Sequence, residues 1–138
     1  MNQPKQLIYF VFFTISLLIV LNIIHELGHI VLQLLYNVPI KITIENLRLH
    51  STSWGIEELI KLPRHQFITL YLAGFIFSIL PLFFNKIRKL ILSFPSEIIK
   101  KYPNIVYSMY IFICLLYAKV DFIVVFKIVW KTSWIFFH

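Results

Sequence analysis

Residues Leu7–Leu35 read LIYFVFFTISLLIVLNIIHELGHIVLQLL. From Leu7 to Leu21 only Thr14 and Ser16 are polar, and the apolar pattern continues through Ile23, Ile24, Leu27, Ile30, Val31, Leu32, Leu34 and Leu35. A helix satisfies its own backbone hydrogen bonds in hydrocarbon and needs about 20 apolar residues to cross it, so this run is read as a membrane span. It extends well past the apolar core of a signal peptide, and no small-residue cleavage site follows. Its second half nevertheless carries polar groups. Asn22, Glu26, His29 and Gln33 recur every three or four residues, which places them in one stripe on a helix, facing the interior of a bundle. Ionisable groups inside a span are costly to bury, and their presence points to function.

Composition agrees with the reading of that run. Of 138 residues, 59% are hydrophobic and only 14% charged, with a mean hydropathy of +0.83. A water-soluble domain of this length has too little interior to hide so much apolar surface, which excludes a soluble enzyme or nucleic-acid module. The formal charge of +7 lies mostly in short polar stretches between apolar runs, a placement suited to anionic headgroups rather than to DNA. The one cysteine, Cys114, sits in an apolar run and is read as a small buried hydrophobe.

Outward from the first span, Val38–Leu49 reads VPIKITIENLRL, where Ile40, Ile42 and Ile44 alternate with Lys41, Thr43 and Glu45. That period of two predicts a strand or short hairpin. Ile56–Leu62 is expected to form a short amphipathic turn of helix. A second span is predicted over Phe67–Phe84, with Ala73, Gly74 and Ser78 as small residues that let another helix approach and Pro81 kinking its end. Asn85–Tyr102 holds Lys86, Arg88, Lys89, Lys100 and Lys101, and is read as a basic interfacial loop with one short helix, interrupted by Pro95. A third span runs from Ile105 to about Val125 or Trp130 and contains Asp121. Trp130, Trp134, Phe136 and Phe137 have the composition of a headgroup-level aromatic belt. The fold class expected is an all-α polytopic membrane protein of about three transmembrane helices with a small β-hairpin or strand-containing connection after the first, forming a single domain over residues 1–138.

The sequence HELGH supplies His25 and His29, two imidazoles one helical turn apart, the separation needed for both to reach a single metal ion. Glu26 lies beside them, placed to hold a metal-polarised water and act as general base. A zinc site needs a third protein ligand. Apart from Glu26, Asp121 is the one acid inside an apolar run, and no basic residue at i+4 explains it, so it is the candidate third ligand. His50 and His65 fall in the polar connection and are read as surface groups, as is the terminal His138.

These residues resemble the intramembrane zinc metalloproteases of the site-2 protease family and the short membrane zincins related to them. The resemblance covers most of the chain: NIIHELGH (Asn22 to His29), the alternating segment Ile40 to Leu49, LAG (Leu72 to Gly74) and KVDFIVV (Lys119 to Val125). It implies that His25, His29 and Asp121 bind Zn2+, that Glu26 is catalytic, and that Ile40–Leu49 forms a sheet beside which a substrate strand is held. Val120 and Phe122 flank the aspartate and Phe75 follows Gly74, where many members have Leu-Asp-Gly and Ala-Gly-Pro.

The function expected is that of a zinc-dependent endopeptidase cleaving peptide bonds within or next to the membrane. The alternatives are a catalytically inactive protein of the same fold that binds a membrane partner, and a small membrane transporter. Expected partners are a transmembrane or membrane-proximal protein substrate and membrane lipid, with a second copy of the chain or another membrane protein as a further candidate. Nucleic acid is not expected. The expected location is the cell membrane, as an integral multi-pass protein.

Overall fold

The computed structural model describes residues 3–45, 48–53, 61–94 and 96–135. Helix α1 (Gln3–Leu35) is followed by strands β1 (Ile40–Glu45) and β2 (Arg48–Ser53), then helix α2 (Arg64–Ile79), which closes in a 3-10 turn over Leu80–Phe83. Two short helices, α3 (Asn85–Leu92) and α4 (Glu97–Lys101), lead into the long helix α5 (Pro103–Ile135). Three of these segments are long and apolar enough to cross a membrane: Gln3–Leu35, Arg64–Phe83 and Pro103–Lys127.

Local chemistry sets the ends of these elements. Helix α1 stops at Asn37, whose φ of 55° is left-handed. The Val38 N–H reaches back to the Gln33 carbonyl at 2.8 Å and the Asn37 N–H to that of Leu34 at 3.2 Å, a Schellman ending that Asn tolerates better than a branched residue. Val38, the residue after the cap, is buried. At the end of α2, Pro81 sits in the first turn of the 3-10 segment, so the predicted kink is a tightened final turn.

The alternating segment forms an antiparallel hairpin, in register from Ile40 opposite Ser53 to Glu45 opposite Arg48. Its second strand continues through the polar residues Ser51–Ser53, beyond the predicted limit at Leu49, because pairing with β1 carries it on where hydropathy gives no signal. Ile42 and Ile44 are exposed on the outer strand. Most of the predicted helical turn at Ile56–Leu62 lies outside the described residues, as does Pro95. The basic connection holds two short helices instead of one, separated by the bend at Phe94 and the extended Ser96. A proline at position 95 disfavours helical geometry in the residue before it, which accounts for the break. Helix α5 is longer than the span predicted within it and continues as helix to Ile135.

Contacts fix the helix directions. Tyr36 bonds Thr69 at 2.8 Å while Gly28 packs on Ala73, so α1 and α2 are antiparallel. The Tyr117 hydroxyl donates to the Leu18 carbonyl at 3.1 Å and Asp121 lies beside His25, so α5 runs parallel to α1. Between their first halves lies an apolar cluster that includes Phe13, Leu17, Leu21, Val106, Tyr110 and Cys114, closed below by Ile99 of α4. Residues facing outward, among them Ile8, Phe12, Ile19, Phe112, Leu116 and Val120, are also apolar and exposed.

At Gly28, α1 and α2 approach closely. A Cβ there would fall 2.6 Å from the Ala73 carbonyl oxygen and 3.0 Å from Phe77 Cβ. Alanine gains about 1 kcal/mol of helix propensity over glycine, while overpacking against backbone costs about 1–3 kcal/mol. Gly28→Ala is therefore expected to be mildly destabilising and Gly28→Leu severely so, with a large fall in the thermal unfolding midpoint of the detergent-solubilised protein. A midpoint unchanged in Gly28→Leu would contradict this crossing.

Candidate metal centre

The second half of α1 inverts the usual order of a helix face, with Asn22, His25, Glu26, His29 and Gln33 all buried while Ile23, Leu27 and Val31 face outward. Helical periodicity alone brings His25 and His29 together, their rings edge to face with centroids 4.9 Å apart. The Nδ1–H of His29 donates to the Leu70 carbonyl of α2 at 2.8 Å. In a neutral imidazole this leaves the lone pair on Nε2, aimed at the space between the helices. That Nε2 lies 3.2 Å from the Nε2 of His25.

Helix α5 brings Asp121 to the same point. Its Oδ2 is 3.1 Å from His25 Nε2 and 3.3 Å from His29 Nε2. The three atoms form a nearly equilateral triangle. Three ligands on a tetrahedral zinc, each about 2.0–2.1 Å from the metal, would be about 3.3 Å apart. Asp121 Oδ2 is buried and has no partner with hydrogen-bond geometry despite these distances, and His25 Nδ1 is likewise unpartnered. Two imidazole nitrogens and a carboxylate oxygen cannot converge so closely through lone pairs alone; a cation among them, either a proton or a metal ion, removes the repulsion. Of the described residues, these are the three whose ligand atoms are close enough to share a metal, all within 4.8 Å of one another.

Gly74 completes the cradle. A Cβ at this position would fall 2.5 Å from His29 Nε2 and 2.6 and 2.7 Å from Cε1 and Nδ1 of His25. Any side chain here would fill the space the donors face. Sequence reasoning assigned Gly74 to helix approach and missed that it makes room for the imidazoles. One turn on, the Ser78 hydroxyl donates to the Gly74 carbonyl at 2.8 Å and the Ser78 carbonyl accepts from Tyr110 at 2.8 Å. Tyr117 was missed as well; its ring lies 6.2 Å from that of His25.

Glu26 is buried on α1 and adjacent in sequence to His25, but it stands outside the group of three. Cys114 belongs to the apolar core, two turns before Asp121. His50 lies on β2 and His65 is exposed at the start of α2, neither in the cluster; His138 is outside the described residues.

Because a Cβ at Gly74 would press on the rings of His25 and His29, Gly74→Ala is expected, if this cluster holds a divalent cation, to weaken its binding by about tenfold or more, the usual scale for disturbing the support of a metal ligand. Equilibrium dialysis of the purified protein against Co2+ or Zn2+ measures it, and unchanged affinity would show that the imidazoles do not rest on this glycine. Comparison of the chain with protein-family models, with curated proteins and with solved structures finds no match.

Proposed function

We propose that the chain is an integral, multi-pass membrane protein, residing in the cell membrane, whose His25, His29 and Asp121 hold one zinc ion and which hydrolyses peptide bonds within or next to the bilayer. The observation that carries this reading is the triangle of donors with edges of 3.1–3.3 Å, set between helices that are apolar on their outer faces. The motif likeness to site-2 proteases supports the same assignment.

Zinc bound there would supply an acidified water and polarise a scissile carbonyl. Glu26, buried on the same helix and adjacent in sequence to His25, would be the group that accepts a proton from the attacking water and returns it to the departing amine. His29 keeps its orientation through the Leu70 carbonyl, and the missing Cβ at Gly74 leaves room for the two imidazoles. A helical substrate hides its carbonyls in internal hydrogen bonds and must unwind locally to react. The outer strand β1, with Ile42 and Ile44 exposed, offers an edge along which an unwound segment pairs.

Two sets of variants test the reading. His25→Ala, His29→Ala and Asp121→Asn each remove a ligand, and each is expected to lower zinc content by at least tenfold while the protein remains in the membrane fraction. Full zinc occupancy in the two histidine variants would refute the centre. Glu26→Gln keeps the size of the side chain but cannot accept a proton at neutral pH, so it should retain zinc and lose nearly all cleavage of an unwound transmembrane peptide. If the wild type binds zinc but cleaves nothing, the inactive membrane protein or the transporter is the correct reading.

A further inference from the structure

The end of the bundle opposite the hairpin carries a feature that the metal centre does not use. The segment from Phe84 to Tyr102 holds five bases, Lys86, Arg88, Lys89, Lys100 and Lys101, against one acid, Glu97. By contrast, Tyr36–Pro63 holds three bases, Lys41, Arg48 and Lys61, balanced by Glu45, Glu57 and Glu58. All five bases of the first group are exposed.

The structure holds this segment in a fixed posture. Ile91, Leu92 and Phe94 pack on the apolar cluster, Phe94 lies 5.1 Å from the Phe13 ring, and Ile99 is fully buried. Gln6 of α1 accepts the Glu97 N–H at 2.9 Å, tying α4 to the start of the first helix and bringing the exposed Lys5 to the same end. With one side fastened, α3 turns Lys86, Arg88 and Lys89 outward beside Phe83, Phe84 and Leu90, which are 76%, 53% and 71% exposed. Bases interleaved with exposed aromatic and aliphatic side chains on a short helix match the boundary where headgroups meet acyl chains. The clustering of Lys and Arg at the foot of a span is the pattern that attracts anionic lipid.

We propose that α3 and α4 form a docking surface for anionic phospholipid headgroups, with Lys86, Arg88 and Lys89 contacting the phosphates while Phe83, Phe84 and Leu90 enter the acyl boundary. This inference rests on the membrane-spanning part of the function proposed above and is independent of zinc and of catalysis. A phosphate in free solution would use the bases alone and gain nothing from the apolar groups.

The test uses the full-length protein in detergent, titrated with a short-chain phosphatidylglycerol, a short-chain phosphatidylcholine and inorganic phosphate, with bound lipid counted by native mass spectrometry. Phosphatidylglycerol is expected to bind at least tenfold more tightly than phosphatidylcholine, and added salt should reduce the difference. Each base near an anionic surface contributes about fivefold, so Lys86→Gln, Arg88→Gln and Lys89→Gln together should raise the half-saturating phosphatidylglycerol concentration by on the order of a hundredfold. Lys61→Gln, Arg64→Gln and Lys127→Gln together remove the same charge elsewhere and should change it by less than threefold. Equal affinity for the two lipids, equal loss in both triple variants, or saturation by inorganic phosphate at the same concentration would each overturn the proposal.

Discussion

The close crossing of α1 and α2 is the constraint on which the rest of the centre depends. Gly28 meets the Ala73 carbonyl and Gly74 meets the two imidazoles, so neither helix has a Cβ where the other presses against it. Only at this separation can the Leu70 carbonyl reach His29 Nδ1 at 2.8 Å. That bond fixes the ring, and a fixed ring defines where a third donor must lie. Helix α5 is then held against the pair by hydroxyls that donate to main-chain carbonyls, Tyr110 to Ser78 and Tyr117 to Leu18, and Asp121 arrives one turn beyond Tyr117. Without a close α1–α2 contact the same residues would be present and would not converge.

Polar and apolar groups are distributed to suit this arrangement. Toward the start of α1 and α5 the interior is a packed cluster around Leu21 and Tyr110, with little polar demand. Toward the other end of α1 the buried groups are Asn22, His25, Glu26, His29 and Gln33. A buried polar atom without a partner costs about 1–3 kcal/mol, so such atoms are rare unless something else satisfies them. Three of those among the described residues, His25 Nδ1, Gln33 Oε1 and Asp121 Oδ2, belong to this stripe or to the centre itself. The other two, Gln6 Nε2 and Ser96 Oγ, lie at the opposite end where α4 is tied to α1. A bound cation and the water or substrate that accompanies it would satisfy atoms at the centre and would do nothing for that second pair.

Much of this was legible in the sequence because it is local. The three long apolar runs, the hairpin signalled by Ile40, Ile42 and Ile44, and the pairing of His25 with His29 all follow from the periods of helix and strand. Asp121 was legible for a different reason, since a carboxylate in an apolar run lacks a cheap environment and must find a partner across the bundle. What could not be read was set by packing. Nothing local in RLHSTS marks Arg48–Ser53 as a strand, because its pairing with β1 defines it. Nor does Gly74 by itself reveal which side chains use the missing Cβ; that is a property of how α1 and α2 cross. The break between α3 and α4 was visible as Pro95, yet the outcome of two helices pinned by Gln6 and Ile99 depends on α1.

The depth of the centre connects the fold to the proposed chemistry. From His29 to the end of α1 at Leu35, and from Leu70 back to the start of α2 at Arg64, is six residues along each helix, or about 9 Å at 1.5 Å per residue. From His25 to the beginning of α1 at Gln3 is about 33 Å by the same measure. His25 itself is ten residues, or about 15 Å, from Leu35, so the paired imidazoles sit within three turns of the hairpin end of α1 and about twice as far from its basic end. Under the proposed hydrolysis, a polar stripe toward one end of the bundle would have the shorter route to water, since apolar side chains around Leu21 fill the interior toward the other end. The same asymmetry places the hairpin, which follows α1 directly, at the end of the bundle nearer the paired imidazoles, so under the proposed peptidase reading an extended peptide paired with β1 would approach His25, His29 and Asp121 from the nearer side.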